Sequence, residues 1–243
     1  MLLRRNNVCV TALHTNLPET QPVAPRRHLL WLGAGLLVGF AIPFVFTDLL
    51  ALPRDLYYAI YAVVAIGFFV LWSRSTQQSL AAMVRRRWLL AVVLGLAVAV
   101  IMGLIVLRTE PASSGSTGAR LVWDVLWRGV GYGAVDGLFL SSFPILAVFA
   151  AFAGTRLRAR TLGKIGIGVV ALIASMLMTT AYHLGYSDFR SPKIARPVAG
   201  DVVWSVPTLV TLNPIGAPIA HAGMHIAAVL HSPQTDTFLP PHQ

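Results

Sequence analysis

A chain of 243 residues with 56% hydrophobic and 12% charged side chains, and a mean hydropathy of +0.70, is too apolar for a water-soluble domain, in which about 25% of residues are charged. The net charge of +10 does not point to nucleic acid, because Lys and Arg stand in the gaps between apolar runs instead of gathering on one soluble face. What remains is an all-α, polytopic transmembrane helix bundle of a bacterial-type cell membrane, whose first partner is the lipid bilayer.

The single Cys9 excludes an internal disulfide, and with no apolar run before it, it is not a lipoprotein site. Residues 1–28 carry Pro18, Pro22 and Pro25 and show no helical period, so they read as a disordered cytosolic tail. Residues 29–47 are uncharged and near the ~20 residues that cross a bilayer, too long for a signal-peptide core, and read as an uncleaved first helix. Further spans are expected at 56–72, 88–107, 122–154 and 165–182, followed by an irregular region at 201–231. A transmembrane domain over 29–231 then leaves 232–243 as a C-terminal tail. Trp31, Trp72, Trp88, Trp123 and Trp204 fall at the expected span ends, as an interfacial belt requires. Twelve basic residues in the N-terminal tail and alternate gaps, against six in the others, place the N-terminus in the cytoplasm.

The span over 122–154 places charge inside an apolar run. Asp124 and Arg128 lie four apart and can pair on one helix face, with Tyr132 and Asp136 continuing the stripe along a drifting face. A charge at mid-bilayer costs on the order of 3 kcal/mol or more, which makes the pair a functional candidate, and an anchor in the headgroup region is the other reading. Gly129, Gly133 and Gly137 form a neighbouring stripe that admits a second helix. At about 50 Å as a straight helix, the segment exceeds a ~30 Å core and must tilt, bend near Pro144 or protrude.

Pro207, Pro214 and Pro218 break the last region, which predicts half-helices or a re-entrant segment. His221 and His225, four apart on the short helix after Pro218, can share a metal or pack through hydrogen bonds. His183 would complete a three-His set for a divalent metal such as zinc, with Asp124 as a further ligand or base. Convergence needs the broken segment to fold back, because a straight helix from Asp201 would carry His225 about 36 Å away. Separations under about 8 Å among Asp124, His183 and His221 or His225 are then expected.

The order of these motifs resembles that of the CPBP intramembrane proteases, also called the CAAX-protease or Abi family. Trp123, Asp124 and Arg128 stand where the family has EExxxR, Thr179 to His183 where it has FxxxH, and His221 to His225 where it has HxxxN, over residues 120–231. The resemblance implies hydrolysis of a peptide bond in a membrane-associated peptide or protein, by a water activated directly or through a metal. In that implied scheme Asp124 is the general base and Arg128 its electrostatic partner. His183 contacts the water or metal, and His221 with His225 forms the oxyanion side or the ligand set. Because Trp123 replaces the first acid, the alternatives are a catalytically inactive membrane scaffold or immunity-type relative, or a small transporter built on the broken segment.

Overall fold

A computed structural model describes residues 23–235 and 237–240; Cys9, residues 1–22 of the expected tail and His242 lie outside the described residues. Five helices are long and apolar enough to cross a membrane: α1 (Pro25–Leu49), α2 (Arg54–Ser75), α4 (Trp88–Thr109), α5 (Gly118–Ala151) and α6 (Thr161–Leu184), with the short α3 (Leu80–Arg85) before α4. Together they mark an integral membrane protein, all-α among the described residues. The first helix starts at Pro25, ahead of the expected 29, because proline suits a first turn and His28 has a buried partner there. The indole N–H of Trp72 donates to Nδ1 of His28 at 3.4 Å, so Trp72 is a core residue and not part of an interfacial belt.

The proline-rich region makes two legs of a hairpin, α7 (Ala195–Trp204) with α8 (Val206–Thr211), then α9 (Gly216–His231). Leu212 ends α8 in the left-handed region at φ 52°, and the turn that follows is fastened by Asn213. Its amide donates to the carbonyls of Val84 and Arg86 at 2.7 and 2.6 Å, while its oxygen accepts from the Ile215 N–H at 2.9 Å. At the other end the N–H of Ser113 donates to the His231 carbonyl at 3.0 Å. The sixteen residues of α9, about 24 Å of helix, thus run the length of the bundle parallel to α4. Residues 237–240 are no free tail: Leu239 is buried and the Tyr58 hydroxyl donates to the Pro240 carbonyl at 2.9 Å.

Helix α5 is the axis of the bundle, 78% buried along its most apolar window where the other four long helices reach at most 44%. It accommodates its length with π-helical turns over Val125–Tyr132 and Gly137–Ser142, on either side of Gly133–Asp136. Pro144 follows the second of these and cannot donate to the carbonyl of Leu140; the Ser175 hydroxyl of α6 does so instead, at 3.0 Å.

The glycine stripe of α5 receives α9. A Cβ on Gly133 would lie 2.8 Å from the Ala222 Cα and 2.9 Å from the His225 ring, and one on Gly137 would lie 2.5 Å from the Pro218 nitrogen. Close backbone approach of this kind is what drives helix association in lipid, where burial of apolar surface contributes little. Gly133→Val is therefore expected to destabilise the protein by about 1–3 kcal/mol and to displace His225. Thermal unfolding in detergent reads the first effect, and an unchanged melting temperature would mean that α9 can shift without loss.

Candidate active site

Asp136 lies on the short α-helical stretch Gly133–Asp136 between the two π-helical stretches of α5, beside the glycines that receive α9. It meets His221 and His225 of α9, and one ligand atom from each of the three lies within 4.8 Å of the others. All three residues are buried, and Asp136 Oδ1 and both ring nitrogens of each histidine have no hydrogen-bond partner among the described residues. Such orphaned polar atoms cost about 1–3 kcal/mol each unless a water or an ion satisfies them, and the three grouped ligand atoms form a place where one ion would do so.

The closest pair carries further information. His225 Nε2 lies 3.3 Å from Asp136 Oδ2, within ion-pairing distance, yet without the alignment of a hydrogen bond. Two ligands about 2.0–2.1 Å from a tetrahedral zinc stand about 3.3 Å apart, which is the spacing seen. The set of neutral imidazoles and one carboxylate is also the donor chemistry that zinc accepts.

His183, on the last turn of α6, faces the same cavity. Its Nδ1 is 2.8 Å from the Thr179 carbonyl, which can only accept, so the proton is on Nδ1 and the lone pair on Nε2. The Thr179 hydroxyl is itself fixed by Asp201, whose Oδ1 also accepts from Ser141, Ser175, Ser205 and the Trp204 indole at 2.9–3.2 Å. Trp204, expected at an interface, is buried and packs on His221 with ring centroids 4.4 Å apart.

The cavity above the three histidines has a volume of about 390 Å³. Apolar side chains of α4, α7 and α9 form its walls, among them Met102, Val203 and Met224, and Glu110, Arg196 and Phe238 stand around it as well. Behind the histidines lie all six tyrosines of the chain, every one buried. Tyr182 joins Tyr57, Tyr132 and Tyr186 through hydroxyl contacts of 2.7–3.0 Å, and Tyr132 meets the His225 ring edge to face at 5.0 Å. Tyr57, Tyr58 and Tyr61 fall inside the expected span at 56–72, where nothing in their spacing sets them apart as part of such a wall.

Asp124 and Arg128 belong to a different assembly. The guanidinium of Arg128 grips Asp55 of α2 with two hydrogen bonds of 2.8 and 2.9 Å and lies 3.5 Å from Asp124. Arg120 pairs with both acids, at 3.1 Å to Asp124 and 3.2 Å to Asp55, and the Ser116 hydroxyl donates to Asp124 at 2.6 Å. Trp123 is half exposed and stacks on Trp127. Twelve residues separate Asp124 from Asp136, about 18 Å of helix, and Asp124 is not among the residues that line the cavity. The structure thus brings together His183, His221 and His225 around one space, with Asp136 as the carboxylate beside them, and places Asp124 and Arg128 in an ion-pair cluster near the start of α5.

One sequence signal marks Asp136: an acid in the middle of a membrane-length apolar run is itself a candidate. Comparison of the chain with protein-family models, with curated proteins and with solved structures gives no match in any of the three.

Proposed function

We propose that the chain is a membrane-embedded, metal-dependent hydrolase. Asp136, His221 and His225 hold a divalent ion, zinc by its donor set, and Nε2 of His183 takes the proton of the attacking water. The observation that carries the reading is that one ligand atom from each of three buried residues, Asp136, His221 and His225, lies within 4.8 Å of the others, beside a cavity. A bound ion supplies a more acidic water and polarises the bond under attack. The apolar walls select an apolar or amphiphilic segment, in line with a membrane-associated peptide, and the resemblance to the CPBP proteases supports a peptide bond as the target. In that comparison Asp136 replaces Asp124 as the carboxylate of the site, and the proton-accepting part that motif order gives to Asp124 falls to His183.

The test is purification in detergent, measurement of bound zinc, and hydrolysis of a library of membrane-spanning peptides in proteoliposomes. Zinc near one ion per chain, and turnover that a chelator abolishes and zinc restores, is the expected result. A protein with neither bound ion nor turnover would overturn the proposal and favour the non-catalytic scaffold.

The same proposal places the N-terminus in the cytoplasm. Arg26, Arg27, Arg74, Arg85, Arg86, Arg87, Arg156, Arg158, Arg160 and Lys164 gather at one end of the bundle, with no carboxylate among the described residues there. Asp48, Asp55, Glu110, Asp124 and Asp188 all lie towards the other end. The positive-inside rule orients such a bundle, and the hairpin of α7 to α9 brings residue 240 to the end opposite Pro25. A reporter fused after Arg5 should read cytoplasmic and one fused after Gln243 non-cytoplasmic. The reverse pattern would invert the assignment.

A further inference from the structure

The basic end holds a second concavity that the hydrolase reading does not use. A groove of about 520 Å³ runs between the first turns of α6 and the end of α8. Its floor is apolar, and Ile165, Val169 and Val210 are 59%, 53% and 48% exposed, so it is continuous with the lipid-facing surface of α6 and α8. Its rim is cationic, formed by Arg86, Arg87, Arg158 and Lys164.

These cations are aimed by backbone and not neutralised by acids. Arg87 donates to the Val210 carbonyl at 3.2 Å and Arg158 to the Phe149 carbonyl at 3.4 Å. No carboxylate lies at this end among the described residues. Burial, and then the neighbouring charges of Arg158 and Arg87, push the Arg86 guanidinium below its ordinary value. Like charges crowded together in this way are relieved by an anion.

We infer that this groove is a binding site for an anionic phospholipid, with its phosphate among Arg86, Arg87, Arg158 and Lys164 and an acyl chain along Ile165, Val169 and Val210. The chemistry on each side decides the occupant. A free phosphate would use the rim and leave the apolar floor to no purpose, whereas a zwitterionic lipid would use the floor and gain little from four cations. Only a lipid of net negative charge uses both, and a basic pocket at the membrane surface between helices is the usual form of such a site. The inference is independent of whether the distant histidine site is catalytic.

Native mass spectrometry and thermal unfolding in a neutral detergent test it, with phosphatidylglycerol, phosphatidylcholine of the same acyl chains, and inorganic phosphate as probes. Each cation near the headgroup contributes about a fivefold preference, so phosphatidylglycerol should bind at least ~10-fold more tightly than phosphatidylcholine and raise the melting temperature, while phosphate does neither. The preference should shrink with added salt. The double variant Arg158→Gln/Lys164→Gln should cut that preference by about fivefold for each cation removed, while keeping the lipid-free melting temperature. Lys164→Glu, a change at one exposed position, should weaken phosphatidylglycerol binding in the same direction and serves if the double variant does not fold. Equal binding of the two lipids, an equal effect of inorganic phosphate, or a preference retained in the folded variants would each overturn the site.

Discussion

Asp136→Asn is expected to take bound zinc from about one ion per chain to less than a tenth of that, and hydrolysis down by at least ~100-fold, while Asp124→Asn leaves the zinc content unchanged. The asparagine keeps the shape of Asp136 and removes the charge that a divalent ion requires of its only carboxylate in this group of three. His225→Ala should behave like Asp136→Asn, since it removes the nitrogen 3.3 Å from the carboxylate. His183→Ala separates ligand from base: zinc stays within about twofold of wild type and turnover falls by ~100–10,000-fold. Measuring metal content and turnover on the same preparations distinguishes the two carboxylates that the chain offers. Should Asp124→Asn abolish turnover while Asp136→Asn retains both zinc and activity, the base would be the residue indicated by motif order and the geometric assignment would fall.

Much of this architecture was legible in the sequence because its causes are local. Apolar run length set the five long helices, and Pro207, Pro214 and Pro218 forecast a broken last segment that folds back, as α7 to α9 do. The Gly129, Gly133 and Gly137 stripe forecast a close helix neighbour, which is α9. The convergence of His183 with His221 and His225 followed from the requirement that the segment return. What could not be read was the identity of the carboxylate, and the reason lies in α5. A helical wheel assumes 3.6 residues per turn throughout, and the π-helical stretch at Val125–Tyr132, between Asp124 and Asp136, breaks that assumption. Nor does spacing on α5 disclose that Arg128 has a better partner in Asp55, 73 residues earlier on another helix. The tyrosine wall is likewise a tertiary fact, since Tyr57, Tyr132 and Tyr182 come from three helices and meet only once the bundle has formed.

Arg128→Gln is expected to lower stability by about 3 kcal/mol, with little change in bound zinc. The argument is electrostatic and local. Asp55 and Asp124 face the same pair of guanidiniums, and Arg128 is the more buried of the two, its side chain 18% exposed against 53% for Arg120. Without it, Asp55 loses two charge-assisted hydrogen bonds, and two carboxylates are left to share one solvent-screened arginine. Because the Asp55 side chain is 35% exposed, water offsets part of that loss, which sets the expectation at the low end of what breaking a buried pair costs. In detergent the melting temperature should fall by about 6–12 °C. The double variant Asp55→Asn/Arg128→Gln should be less destabilised than Arg128→Gln alone, because the carboxylate that the arginine neutralised is removed with it. An Arg128→Gln protein that melts with wild type would show that the cluster carries no net stability. A variant that keeps its fold but loses its zinc would show that the α2–α5 junction holds Asp136 in place from about 18 Å away, making Arg128 a positioning residue for the site.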